Sequence, residues 1–359
     1  MAVAARIALA WSRHVRARRR AGALLALLPI AVLLSGCDNA QNALAPESHQ
    51  STDIANIFWW TMGGSWIGIS LVVALLVLAW RRGHRQRRAL GGEIPLDVGK
   101  PNERLGWYVV VILGVITPIA LMALLFVIAN IFVIQTTQAP AANATVRTID
   151  VIGHQWWWEV RYPGTSVVTA NEIHIPANTP VRVNVTTADV IHSFWVPRLN
   201  RTIDAIPGQR NAIVLDAKAP GRYRGQCLEF CGLQHAHMAF YVFADPPARF
   251  HAWLANQEKP ARKPTGALAV QGEKVFTGVG GCSACHTIDG TSAHGYTGPN
   301  LTHLQTRTTI AALTIPNRKG YLGGWIMDSQ HIKPGNQMPD INVNGPQLQA
   351  LLAYLEELK

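Results

Sequence analysis

No acidic residue occurs in the first 36 positions, and no charged residue of either sign occurs from Ile54 to Trp80 or from Leu105 to Thr137. Each uncharged run is long enough to cross the hydrocarbon of a bilayer with some tilt. Lys and Arg are also missing from 37–53 and 135–146, whereas 81–104 holds Arg81, Arg82, Arg85, Arg87, Arg88, Lys100 and Arg104. A pair of buried helices in a soluble protein would not explain that asymmetry. An arginine at a helix centre costs about 2.5–3.5 kcal/mol on the insertion scale, so R-R-G-H-R-Q-R-R at 81–88 ends the first span. By the positive-inside rule the loop 81–104 is cytoplasmic and both ends of the hairpin lie outside. Trp59, Trp60, Trp80, Trp107 and Tyr108 sit near span ends, as interfacial anchors do. Pro118 predicts a kink in the second span, which membrane helices tolerate. Cysteine is scarce and odd in number, five in all, so a disulfide framework does not organise the chain. The formal net charge is +11, but Arg6, Arg13, Arg16, Arg18, Arg19 and Arg20 supply much of it. The mild balance elsewhere is no argument for a nucleic-acid partner.

The basic stretch belongs with the apolar run after it. A charged region ending in R-A-R-R-R leads into the short apolar run A-G-A-L-L-A-L-L-P-I-A-V-L-L-S-G, and then Cys37. The pattern resembles a bacterial lipoprotein signal over 1–36. It implies cleavage before Cys37 and acylation of its sulfur. A lipid is not needed for anchoring when two spans come after it, since one acyl chain contributes only about 0.8 kcal/mol per buried methylene. Residues 37–53 are polar and expected to be extended on the outer side. The hairpin occupies 54–137, with spans at about 54–80 and 105–134.

From about Thr145 the pattern changes to short runs of period two: T-V-R-T-I-D-V-I-G, E-I-H-I-P, V-R-V-N-V and N-A-I-V-L. Pro and Gly turns separate them, which reads as an all-β sandwich or barrel over 145–254. Between two late strands lies C-L-E-F-C-G-L-Q-H-A-H-M, from Cys227 to Met238. Thiolate, imidazole and thioether are the ligands copper favours. A mononuclear blue-copper site needs one Cys, so this loop carries a thiolate too many and lacks one His. His192, in V-I-H-S-F-W-V-P, is the upstream candidate. Cys227, Cys231, His192, His235, Met238 and the carbonyl of Glu229 then suit two coppers bridged by both thiolates. A disulfide across so short a loop would be strained. A zinc site built on Cys227, Cys231 and His235 would leave Met238 unexplained.

The run G-H-Q-W-W-W-E-V, 153–160, places three tryptophans in succession. They cannot all face one core, so some reach the surface or a partner. His154 and His174 read as ordinary strand or turn histidines. A polar, proline-bearing linker over 255–266 precedes a third composition. There G-C-S-A-C-H is a C-x-x-C-H haem attachment signal, with Cys282 and Cys285 bonding the haem and His286 on its iron. The second axial ligand is expected to be Met338, in Q-M-P, with Met327 as the competitor. Residues 346–358 show the apolar spacing of a closing amphipathic helix. His294, His303 and His331 have no ligand pattern and are expected at the surface.

G-Q-C-L-E-F-C-G-L-Q-H-A-H-M resembles the CuA loop of subunit II of haem–copper cytochrome c oxidases. D-V-I-H-S-F-W-V-P, D-A-I-P-G and G-H-Q-W match the same family. With the haem motif, the whole resembles subunit II of caa-type oxidases. The implied fold is multidomain: a two-span transmembrane α-helical hairpin, a cupredoxin Greek-key β-sandwich, and an all-α class I cytochrome c over 267–359. The resemblance implies a binuclear CuA centre and one covalent haem c. Trp156 becomes the residue that first receives electrons from cytochrome c. The Glu229 side chain becomes a ligand to a magnesium ion shared with subunit I. The implied path runs from an external cytochrome c or cytochrome bc complex through haem c and CuA to haem a of subunit I. Oxygen reduction and proton pumping occur there, and no catalytic residue lies in this chain. The location is the bacterial inner membrane, with both soluble domains periplasmic. Many such subunits carry a Glu two residues before an aromatic at the start of the second span; in N-E-R-L-G-W, Glu103 has a different spacing and is not given that proton-uptake role. Quinol oxidases lack the copper ligands, so Cys227 and Cys231 speak against them. An electron-transfer subunit of a nitric oxide reductase is the alternative. A copper-storage lipoprotein would not need C-S-A-C-H.

Overall fold

The computed structural model describes residues 39–89, 91, 103–141 and 147–359. Cys37, the signal-like segment 1–36 and residues 90 and 92–102 of the loop 81–104 lie outside the described residues. The first uncharged run forms the middle of one helix, His49–Ala89, which overruns it at both ends. At about 1.5 Å per residue that helix is about 60 Å long, twice the thickness of a hydrocarbon core. Residues 49–53, expected to be extended, are therefore helical. Contacts with the β domain hold this first turn. Ser51 Oγ donates to the Arg198 carbonyl at 2.8 Å, Ser48 Oγ donates to that of Leu199, and Lys218 Nζ reaches Thr52 Oγ1 at 2.8 Å. Ser48 Oγ also accepts from the Ser51 amide at 2.9 Å, capping the helix start.

Residues 103–137 form the second helix, interrupted by π turns at Ile112–Ile116 and Asn130–Ile134. The first π turn sits just ahead of Pro118. Proline cannot donate to the carbonyl one turn back, and the wider turn absorbs the mismatch. Thr117 Oγ1 donates to the Ile112 carbonyl at 2.8 Å there. Both helices are long and apolar enough to cross a membrane, and none of their apolar windows is buried in the protein. So much exposed apolar surface is suited to lipid contact.

The β domain is a two-layer sandwich with strand orders β3-β2-β1-β5-β8 and β4-β10-β9-β6-β7. The alternating runs become β1 (Arg147–His154), β2 (Trp157–Arg161), β3 (Val168–Ala170), β4 (Glu172–Pro176) and β5 (Val181–Thr187). β6 (His192–Trp195), β7 (Ile203–Ala205), β8 (Asn211–Leu215), β9 (Gly221–Cys227) and β10 (Ala239–Asp245) complete the set. β1 pairs with β5 in parallel, as β10 does with β4, so the chain crosses between layers instead of running as a simple meander. Ile149, Val151, Trp158, Val183, Phe194 and Phe240 are fully buried between the layers. The period-two pattern produces this core, because alternate side chains of a strand face opposite sides. The helix Pro247–Gln257 closes one side of the sandwich with buried Phe250 and Leu254. Its last turn takes the first residues of the stretch expected to be linker.

Beyond the linker, the helices Ala267–Thr277 and Gly345–Glu356 cross in close contact. Asn344 and Gln347 form a reciprocal capping box at the start of the second. Gly272 permits the crossing: a Cβ there would lie 2.0 Å from the Ala350 carbonyl oxygen. That neighbour is backbone and cannot turn aside. Gly272→Ala is therefore expected to cost about 1–3 kcal/mol or more, read as a lower thermal unfolding midpoint of the haem-bearing part. The helix Lys319–Met327 packs Leu322 and Ile326 into the same core with Phe276 and Tyr354. His303, expected at the surface, is 5% exposed, and its Nε2 bonds to the Lys259 carbonyl at 2.9 Å. It ties the linker to the C-terminal part. His294 and His331 are exposed.

Candidate metal centres

Three strand ends meet at the first site. His192 begins β6, Cys227 ends β9, and Met238 immediately precedes β10. Antiparallel pairing of β9 with β10 makes 228–238 a closed loop, and the Cys227 amide donates to the Met238 carbonyl at its base at 3.0 Å. The Leu228 amide donates to the Ser193 carbonyl at 3.1 Å, which fastens the loop beside β6.

The side chains converge. Cys227 Sγ lies 3.8 Å from Cys231 Sγ, 3.9 Å from His192 Nδ1 and 3.3 Å from the Glu229 carbonyl oxygen. Cys231 Sγ lies 3.6 Å from His235 Nδ1 and 3.8 Å from Met238 Sδ. Ligand atoms of His192, Cys227 and Cys231 all fall within 4.8 Å of one another, and the three residues are buried. All six predicted donors thus surround one small volume, a sulfur- and imidazole-rich set that fits copper. Paired thiols in such contact share protons unequally. The bond from Cys231 draws Cys227 down, and the same bond pushes Cys231 up. A thiolate, the form that binds metal, is favoured at one of the two sulfurs.

Sequence reasoning gave Asp189 no role. Its carboxylate lies 2.8 Å from His192 Nε2 and accepts from the Gln155 amide at 2.6 Å. Burial works to raise Asp189, and the bonds from His192, Gln155 and Val190 outweigh it, holding the carboxyl below its ordinary range. The carboxylate fixes the imidazole with Nδ1 toward the sulfurs, as outer partners of metal histidines do. D-V-I-H placed the acid three residues before the histidine, so the signal was present.

Trp156 and Trp158 join one buried core and Trp157 is half-buried, so none of the three is exposed. Trp158 is fully buried and meets His192 edge-on at 5.8 Å between ring centroids. Trp157 stacks on His154 at 4.5 Å. Trp156 Nε1 donates to the Cys231 carbonyl at 2.9 Å, and Gln155 Nε2 donates to the same oxygen at 2.7 Å. Trp156 was expected to meet an outside donor, yet it is 8% exposed. The C-terminal part of the chain covers it: a Cβ on Gly335 would lie 3.7 Å from the indole Cη2. On the outer rim of the loop, Phe230 and Leu233 are 77% and 70% exposed, beside the exposed Glu229.

The second site is a cavity of about 420 Å³ lined by Cys282, Cys285, His286, Met338, Arg307 and Trp325, among others. His286 Nδ1 bonds to the Pro299 carbonyl at 2.8 Å, which leaves Nε2 for a metal. Burial holds His286 below its ordinary range, toward the neutral form a metal needs. Met338 is on the cavity wall, while Met327 is 42% exposed and off it. Arg307 is half-buried with its Nε enclosed, and desolvation pushes it down to about 10 against the opposing pull of Glu172. Its Nε has no hydrogen-bond partner among the described residues. An orphaned guanidinium nitrogen on an apolar cavity wall fits a group that is flat, apolar and anionic at its edge, as haem is. No motif in the sequence pointed to Arg307.

Two families match the chain. "Cytochrome C oxidase subunit II, periplasmic domain" covers residues 165–244, and "Cytochrome c" covers 269–359. Cytochrome c oxidase subunit 2 of Alkalihalophilus pseudofirmus is 30% identical over 357 residues, spanning 95% of this chain and 98% of that one. The protein of the same name from Bacillus sp. strain PS3 is 31% identical over 294 residues, spanning 77% and 80%. Among solved structures, the periplasmic domain of subunit II of Bradyrhizobium japonicum cytochrome oxidase is 33% identical, with a TM-score of 0.32. It covers 33% of this chain and 96% of that one. Two apolar helices, the sulfur-rich site on a β-sandwich and the C-x-x-C-H cavity therefore sit in a chain that belongs to the cytochrome c oxidase subunit II family, in the form fused to a cytochrome c domain.

Proposed function

We propose that this subunit carries electrons from an external cytochrome c or cytochrome bc complex through its own haem c to CuA, and on to haem a of subunit I. Two coppers held by His192, Cys227, the Glu229 carbonyl, Cys231, His235 and Met238, and a haem held by Cys282, Cys285, His286 and Met338, supply the one-electron chemistry. Oxygen reduction and proton pumping belong to subunit I. The observation that carries this reading is the convergence of two thiols, two imidazoles, a thioether and one carbonyl in one protein that also has the C-x-x-C-H cavity.

The residues around the metals act by position. Asp189 holds the His192 ring, and the paired β9–β10 stems hold both cysteines. A scaffold that does not move between redox states suits fast single-electron transfer. Trp156 lies between the two sites, its indole bonded to the carbonyl of Cys231. The exposed Phe230, Leu233 and Glu229 make the rim that meets subunit I, with the Glu229 carboxylate available to a shared magnesium ion. The hairpin sits in the bacterial inner membrane with both soluble domains on the periplasmic side, and Cys37 carries a lipid.

Trp156→Phe tests the relay. The aromatic plug is kept while the Nε1 bond to Cys231 is lost. Flash reduction of haem c in the whole oxidase should show copper reduction slowed by about tenfold or more, an effective barrier increase of about 1.4 kcal/mol. Both metal spectra should be unchanged. An unaltered rate would remove Trp156 from the route.

A further inference from the structure

The segment 333–336 of the C-terminal part meets the copper loop, and its anchor is Lys333. This lysine is 2% exposed. Its Nζ donates to the Trp156 carbonyl at 2.8 Å, the His237 carbonyl at 2.9 Å and the Ala311 carbonyl at 3.1 Å. Two of those acceptors belong to the β domain and one to the cytochrome domain. Burial pushes Lys333 down to about 7, and three carbonyls, one for each N–H of the ammonium, work against that desolvation. The Ala311 carbonyl is aimed by unusual backbone. Ala311, Ala312 and Leu313 have φ of 54°, 57° and 66°, a left-handed run that non-glycine residues rarely adopt.

Lys333 is also wired to the second site. Asn336 Nδ2 donates to the Lys333 carbonyl at 2.9 Å and to the Ser329 carbonyl at 3.0 Å. Asn336 Oδ1 accepts from the Met338 amide at 2.8 Å. The Met338 carbonyl accepts from Ser329 Oγ and Gln330 Nε2, each at 2.9 Å. Thus the turn that presents Met338 to the cavity is the turn that plants Lys333 on the copper loop. Gln234 Nε2 donates to the Pro334 carbonyl at 2.8 Å beside it. Farther along the interface, Glu172 Oε1 accepts from the Thr308 amide at 2.8 Å and its hydroxyl at 2.6 Å.

We infer that Lys333 is a positioning residue that docks the cytochrome domain on the copper loop in one register. It fixes the Met338 turn against Trp156 and His237. An apolar side chain would fill the same space but allow the domains to slide, whereas an ammonium needing acceptors from both domains allows one alignment. The linker alone would leave the haem domain tethered and searching. With Lys333 in place, the face of Trp156 is occupied by the chain's own cytochrome domain, and an outside donor is directed to the haem. The docking role rests on the relay proposed above, but its signature does not depend on electron transfer.

Lys333→Met keeps the volume and removes the donors. In the full chain, hydrogen exchange should accelerate about tenfold or more at amides of 155–157 and 233–236, with haem and copper spectra retained. Transfer from haem c to copper should become slower and multiphasic, while reduction of haem c by the external donor keeps its rate. Native exchange protection in Lys333→Met would overturn the docking role. Should that variant fail to mature with haem, Lys333→Gln, which cannot reach all three carbonyls, probes the same joint. Raised exchange at 155–157 and 233–236 would support the proposal, and native protection there would overturn it. If native protein itself shows both metal spectra but no transfer between them, the relay fails while the exchange result still decides the docking.

Discussion

Cys227→Ser is expected to abolish the binuclear copper signal and leave the haem spectrum intact. Cys227 touches three candidate donors: Cys231 Sγ at 3.8 Å, His192 Nδ1 at 3.9 Å and the Glu229 carbonyl at 3.3 Å. Its removal deletes one of only two atoms able to bridge two metals. A serine hydroxyl is a hard, protonated ligand at neutral pH and does not replace a thiolate on copper. The remaining donors could hold at most a single, weaker copper. Intramolecular transfer to the copper site should drop to background. Haem attachment depends on Cys282 and Cys285 in a separate core, so the visible haem bands should persist. A copper spectrum unchanged from wild type would refute the ligand assignment outright.

The second large effect is expected at Met338. Met338→Ala removes the thioether on the cavity wall, and the sulfur–iron absorption band near the red end of the visible spectrum should disappear. The haem should stay covalently attached, because neither thioether bond nor His286 is touched. A methionine ligand raises the potential of a haem, so its loss should also lower that potential. Met327→Ala should leave the band in place, because Met327 is 42% exposed at the end of the Lys319–Met327 helix. A band that survives in Met338→Ala would move the ligand elsewhere.

How much of this was legible in the sequence depends on how local each feature is. The copper loop carries Cys227, Cys231, His235 and Met238 within one β-hairpin connection, so its chemistry could be read directly. His192 lies on another strand; the histidine missing from the loop pointed upstream to it, and a family motif supported the choice. The strands were legible because period two survives burial on one face. Asp189 could have been read from its spacing to His192. Arg307 and Lys333 could not: each owes its role to a burial that only the tertiary fold creates. The same holds for Trp156, whose aromatic run suggested an exposed surface. The surface exists, but another part of the chain covers it, and composition carries no signal for such a contact. His303 was misplaced for a related reason, since its partner is a linker carbonyl far along the chain. The helix start at His49 was hidden because its caps bond to carbonyls of the β domain and not to neighbours in sequence.

The central claim is that two coppers and one haem share this chain. Electron paramagnetic resonance with metal analysis on the purified full-length protein tests it most directly. The expected result is two coppers and one iron per chain, with a hyperfine pattern from one unpaired electron spread equally over two copper nuclei. A pattern from a single copper nucleus, at one copper per chain, would contradict the bridged site and leave a mononuclear copper beside haem c.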